Sequence, residues 1–290
     1  MNTWIKILIC YGLYGHAMAQ SKLKPGKLFI IGGGDRPPEL MQKLIAEAGL
    51  APQDHIAILT NSSASPDTSY HYLVQDLRPH SNNSIAMFHF TKKPKSDKSK
   101  NDFSVDEVGI LDSLRKAKLI FITGGVQGRF MDVVLNTPVH QAIKDAYRNG
   151  SMIAGTSAGA AVMSKEMITG DQVRADTLYS GSVDRIIQGN IQIQEGLGLI
   201  TSVVIDQHFI VRSRYNRLLT VLHQYPSKLA IGIDEETAIL VYGDRATVFG
   251  TSQVVVLRKP KGLEVKTNKV LRFKKVALSL YTSGDTFMLN

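Results

Sequence analysis

Three short stretches of this chain carry residue types that do nucleophilic chemistry. The first is Gly155-Thr156-Ser157-Ala158-Gly159, a G-x-S-x-G sequence between the apolar run Met152–Ala154 and Ala160-Ala161-Val162-Met163, which reads as a helix start. A serine on such a strand-to-helix turn is held exposed, and flanking glycines let other backbone approach closely. The helix N-terminus behind it offers free N–H groups and a partial positive charge. The second stretch is Asp206-Gln207-His208, after the β run Ser202–Ile205, and the third is Asp234-Glu235-Glu236, after Ala230–Ile233. A nucleophilic serine needs a base, and the base needs an orienting group. Ser157, His208 and an acid each follow a β run, the edge where open α/β sheets gather catalytic groups. Gly124-Gly125 ends a further run, and an N–H there together with that of Ala158 would form an oxyanion hole, with donors ~3 Å from the developing charge. A small-residue turn chosen for packing explains the bare pentapeptide equally well; the strand–turn–helix context favours the nucleophile.

The elements that must position these residues follow from the apolar pattern. Leu28–Ile31, Ile56–Leu59, Ile85–Phe90 and Leu119–Thr123 read as strands. They alternate with helices expected near 37–48, over Asp67–Leu77, over Val105–Lys116 and as one long helix over Phe130–Arg148. That alternation predicts an α/β fold, a doubly wound, mostly parallel sheet flanked by helices. Residues 165–195 read as an irregular excursion, and Arg212–Gln224 as a helix. Ala238–Tyr242, Thr247–Phe249 and Val254–Leu257 are short β runs that suggest an antiparallel C-terminal extension. With no internal repeat and no linker after Lys27, residues 27–290 are expected to form a single domain.

Composition narrows the function classes. The 290 residues are 43% hydrophobic, enough for an ordinary core, and 34 Lys+Arg against 25 Asp+Glu give +9. The single cysteine, Cys10, excludes a disulfide scaffold and a Cys-rich zinc site. Residues 1–19 read as a secretory signal peptide: Lys6, then the apolar Ile7 to Gly15, then Ala17-Met18-Ala19 as an A-x-A cleavage site. The apolar run is shorter than the roughly 20 residues that span a bilayer. Residues 20–26 form a linker, and cleavage removes Lys6 and no acid, taking +9 to +8. A mature chain without cysteine suits a periplasmic or extracellular location. Lysines cluster between Lys92 and Lys100, and basic residues recur from Arg258 to Lys275. Neither cluster is interleaved with aromatics or joined to a nucleic-acid motif, so both read as solvated surface. No metal cluster appears, and Gly32-Gly33-Gly34 is not a dinucleotide fingerprint. No cofactor, nucleic acid or membrane partner after cleavage is expected; a homodimer is left open.

Four motifs in order resemble the cyanophycinases, serine-type members of the aspartyl dipeptidase clan. They are Ile122-Thr123-Gly124-Gly125-x-Gln127, the Gly155–Ala160 turn, Asp206-Gln207-His208-Phe209 with Arg212, Arg214 and Arg217, and Gly232-Ile233-Asp234-Glu235. The resemblance runs from about Lys27 to Leu257. It implies a fold related to class I glutamine amidotransferases, with Ser157 as nucleophile, His208 as base and Glu235 as its orienting acid. It also implies exo-type hydrolysis of cyanophycin, an arginine-bearing poly-aspartate, to β-Asp-Arg dipeptides. Gly125 and Ala158 would supply the oxyanion hole. Gln127, Asp206, Gln207, Arg212, Arg214 and Arg217 would line the substrate groove, Asp206 pairing with a substrate guanidinium. The chain departs from the family at Val126, where an acid is usual, which bears on substrate preference. Guanidinium groups suit carboxylates through bidentate bonding, although a basic helix face is more commonly just solvated. Two other readings stay open: a dipeptidase of the same clan acting on short aspartyl peptides, and a non-catalytic protein that keeps the fold.

Overall fold

The computed structural model describes residues 25–92, 102–172 and 185–290. The expected signal peptide and most of the lysine cluster at 92–100 lie outside these residues. The first half of the chain runs β1 (Leu28–Ile31), α1 (Pro38–Ala48), β2 (His55–Leu59), α2 (Pro66–Leu77), β3 (Ser84–Thr91), β4 (Asp102–Ser104), α3 (Val108–Lys116) and β5 (Leu119–Ile122). It continues with α4 (Gln127–Val134), α5 (Pro138–Arg148), β6 (Met152–Thr156) and the single-turn α6 (Ala158–Ala161). Then come β7 (Glu166–Gln172), β8 (Ile191–Glu195), β9 (Val203–Gln207), α7 (Tyr215–Gln224), β10 (Leu229–Ile233), β11 (Thr237–Tyr242), β12 (Arg245–Gly250) and β13 (Val254–Lys261). The C-terminal strands are β14 (Glu264–Val265), β15 (Leu271–Arg272), β16 (Lys275–Tyr281) and β17 (Thr286–Met288).

Nine strands form the main sheet in the order β17-β12-β11-β1-β6-β5-β2-β3-β4. β1, β6, β5, β2, β3 and β4 are parallel, which is why β1, β5 and β6 are buried along their whole length and read as continuous apolar runs. Side chains alternate across the sheet. Phe29, Ile31, Ile58 and Phe121 pack under α1 and α2 with Leu40, Met41, Leu73 and Leu77. Leu28, Ile30, Ile120 and Ile122 face the other core, with Leu111, Leu114, Ile143 and Ala146 of α3 and α5. Gly49 stops α1 in the left-handed region at φ 60°, its N–H donating to Ile45 O at 3.3 Å.

The C-terminal extension divides in two. β11, β12 and β17 add antiparallel to the main sheet, whereas β10, β13 and β16 join β9 in a separate four-stranded sheet of order β16-β13-β10-β9. The chain therefore changes sheets at the three residues between β10 and β11. The single long helix expected over Phe130–Arg148 is two, because Asn136 takes φ 58° and Pro138 begins a new first turn. The excursion at 165–195 contains a hairpin, β7 against β8, where no strand was expected.

Candidate active site

Ser157 stands where β6 ends and α6 begins. Its N–H donates to Ile31 O at 3.0 Å, and its backbone is forced to φ 54°, ψ −110°, a strained conformation for a serine. The flanking glycines are required by backbone contact: a Cβ on Gly159 would lie 2.2 Å from Ile122 O, and one on Gly155 would lie 2.4 Å from Gly159 O. The helix behind the serine is only four residues long, so the expected dipole is small. What remains of that reading is the N–H of Ala158, which has no acceptor within its helix.

His208 follows β9 on the second sheet, with φ 48° and its N–H bonded to Gly32 O at 2.8 Å. Its Nε2 is 2.8 Å from Ser157 Oγ, and its Nδ1 is 2.5 Å from Glu235 Oε1. Serine comes from the main sheet, histidine from the second, and the acid from the turn that joins them. Burial holds the imidazole below its ordinary pKa, opposed by the Glu235 bond and helped by the positive charge of Arg212. The ring is therefore neutral at neutral pH, ready to accept a proton. Replacing Arg212 with Gln removes a charge that disfavours the imidazolium, so the His208 pKa rises. The acid limb of the kcat/KM profile should move to higher pH, whatever the change in amplitude. An unchanged or lower limb would contradict this.

Glu236 points elsewhere. Its N–H bonds Gly33 O at 2.9 Å and its carboxylate accepts the Thr251 hydroxyl at 3.0 Å. The two glutamates occupy a tight turn, Glu236 at φ 53°, rather than an extended segment. Asp234 accepts the N–H groups of Ile210 and Val211 at 2.9 and 3.0 Å and so fixes the loop after His208.

The triglycine was not expected to take part in the site. Gly33, at φ 120°, passes so close beneath the imidazole that a Cβ there would lie 2.2 Å from His208 Cε1. A Cβ on Gly34 would lie 2.7 Å from that of Glu235. The run is the bed on which the His–Glu pair rests. A sequence signal existed: three glycines at the end of a buried strand.

The diglycine is also fastened from a segment that the motifs did not flag. Ser62, after β2, bonds Thr123 O through its hydroxyl at 2.6 Å, and its carbonyl accepts the Val126 N–H at 2.9 Å. Gly125 lies against that same carbonyl with φ 135°.

Ser157 and His208 open onto a cavity of about 560 Å³ whose wall includes Gln127, Gln207, Arg212, Arg214 and Arg217. Arg214 and Arg217 are almost wholly buried, with side chains 4% and 3% exposed, which excludes a merely solvated basic face. Asp206 departs from expectation. Its fully buried carboxylate grips Arg217, Nε at 2.8 Å and Nη2 closer, and lies 3.6 Å from Arg214; it is not part of the cavity wall. Arg214 donates in turn to the carbonyl of Gln207 at 2.6 Å and to its side-chain oxygen. Gln127 also has a structural engagement, its amide nitrogen donating to Ile168 O at 2.9 Å and Thr169 O at 2.7 Å.

Asp206 therefore positions the arginines, its carboxylate already occupied by the Arg217 guanidinium. Asp206→Asn leaves buried charge unmatched, and is expected to cost about 3 kcal/mol or more of stability. KM should rise more than kcat falls, because the arginine wall loses its anchor. Denaturant unfolding and steady-state kinetics test both; wild-type stability with a raised KM would return Asp206 to direct substrate contact.

The remaining wall was missed at the sequence level: Arg129 and Asp132 from α4, and Thr169, Gln192 and Gln194 from the hairpin. A helix starting at Phe130 leaves Arg129 outside it, Asp132 belongs to no motif, and reading 165–195 as irregular hid the others. Among the described residues no cluster of His, Cys, Asp and Glu is arranged to hold a metal ion.

A likeness to solved structures supports the fold: a peptidase from an acI-B1 Actinobacterium superposes with a TM-score of 0.62 at 21% identity, covering 92% of this chain and 98% of that one. In sequence the chain is 35% identical to a cyanophycinase of Trichormus variabilis over 184 residues, 61% of this chain and 59% of the relative. It is 37% identical to one of Geminocystis herdmanii over 147 residues, half of each chain. The chain thus spans between half and three-fifths of the length of these relatives. The model of peptidase family S51 matches residues 94–249, more than half of the chain and inclusive of Ser157, His208 and Glu235. This chain belongs to peptidase family S51.

Proposed function

We propose that the protein is a serine-type exopeptidase that hydrolyses cyanophycin to β-Asp-Arg dipeptides through Ser157, His208 and Glu235. The observation that carries the reading is the hydrogen-bonded line from Ser157 Oγ through His208 to Glu235, at 2.8 and 2.5 Å. Neutral His208 takes the serine proton at Nε2 as Oγ attacks the scissile carbonyl. Glu235 holds the Nδ1–H tautomer and stabilises the imidazolium that forms. The N–H groups of Gly125 and Ala158 receive the oxyanion. His208 then returns the proton to the leaving nitrogen, and water, activated by the same imidazole, resolves the acyl-enzyme. Arg212, Arg214 and Arg217, with Gln127 and Gln207, hold the carboxylate-bearing acyl portion.

Incubation of the protein with insoluble cyanophycin, followed by mass analysis of the supernatant, tests the proposal. Release of β-Asp-Arg supports it. Cleavage of short aspartyl peptides without attack on the polymer would favour the dipeptidase reading, and no cleavage of either would favour a binding protein. Export belongs to the same proposal, with residues 1–19 removed and the chain beginning near Gln20 outside the cytoplasm; N-terminal sequencing of the exported protein that found Met1 would refute it.

A further inference from the structure

Ser157 and His208 line a second cavity, of about 440 Å³, which shares no other wall residue with the arginine-lined one. The reacting bond must lie at the junction of the two, so one cavity takes the acyl half and the other the amine half. Their electrostatics differ. The first presents Arg129, Arg212, Arg214 and Arg217 against Asp132. The second is walled by Leu73 and Phe121, with Asp35, Arg36 and Tyr72. Arg36 is already matched, its Nε 2.6 Å from Asp76. Asp35 is exposed and makes no ion pair among the described residues. Tyr72 is 62% exposed, its ring available for stacking. An apolar wall, a free aromatic face and an unmatched carboxylate suit an aliphatic stem that ends in a cation.

We propose that this second cavity is the subsite for the amine half of the scissile bond, taking a residue with a cationic side chain held by Asp35 and laid along Tyr72. The proposal rests on the serine-hydrolase reading of Ser157. In cleavage the Oγ–carbonyl bond forms, the C–N bond breaks, and the serine proton passes through His208 Nε2 to the leaving nitrogen. The reverse step is available to any amine seated in the cavity. Its nitrogen attacks the acyl-enzyme carbonyl, its proton goes to His208 Nε2, the C–Oγ bond breaks, and the proton returns to Ser157. An amine that fits therefore competes with water for the acyl group.

The test uses the chain acylated by cyanophycin in the presence of equal concentrations of argininamide and norleucinamide, with the two transfer products measured by mass spectrometry. Argininamide should be favoured several-fold. Asp35→Asn should bring the ratio close to parity and Tyr72→Leu should lower it part of the way, while a fluorophosphonate still labels Ser157 at the wild-type rate in both. Both side chains are on the surface, so neither change threatens the fold. Parity in the wild type, or a preference that survives both substitutions, overturns the subsite. Absence of any acyl-enzyme or hydrolysis in the wild type overturns the hydrolase reading, and the subsite with it.

Discussion

Ser157→Ala is expected to abolish turnover, by on the order of 10⁶ in kcat, judging from the loss of the nucleophile in a serine triad. Substrate binding should persist, because the hydroxyl acts in chemistry and the arginine wall is separately anchored on β9 and α7. The change is small and relieves no packing: Ser157 keeps its N–H bond to Ile31 O in either form. Undiminished hydrolysis in the mutant would eliminate the nucleophile assignment, and loss of binding together with loss of turnover would indicate damage to the turn. Equilibrium binding of polymer fragments, measured beside kcat, separates the two.

Glu235→Gln should lower kcat by on the order of 10²–10⁴, the range of orienting-acid effects in such triads. The amide can still accept from Nδ1–H through its oxygen, but it cannot stabilise the imidazolium, and its NH₂ favours the wrong tautomer. Glu236→Gln should change kcat little, since its carboxylate meets Thr251 rather than His208. If Glu236→Gln were the crippling change and Glu235→Gln the silent one, the pairing across the β10–β11 turn would be wrong.

The parts of this site legible in the sequence are those set by local pattern. Buried parallel strands read as unbroken apolar runs, and Ser157, His208 and Glu235 each lie just past one of them. In the sequence Glu235 is set apart from Glu236 by the family resemblance. The real reason is a tight turn in which Glu236 takes positive φ and bonds back to Gly33. The two-sheet arrangement was not legible, because β10 and β11 are adjacent in sequence yet pair into different sheets, β10 with β9 and β13, β11 with β1 and β12. The engagement of Asp206 with Arg217 was not legible for a similar reason. An acid at a strand end resembles a ligand until its burial and the reach of Arg217, eleven residues on, are known. The triglycine reads only as a turn until the imidazole is seen packed against it.

The claim on which the rest depends is that Ser157 is a nucleophile activated by His208. Treatment with a fluorophosphonate followed by peptide mapping tests it most directly. A single adduct on Ser157 that inactivates the protein is expected, with labelling lost in His208→Ala. Inactivation through an adduct on another serine, or a labelling rate at Ser157 indifferent to His208, would contradict it.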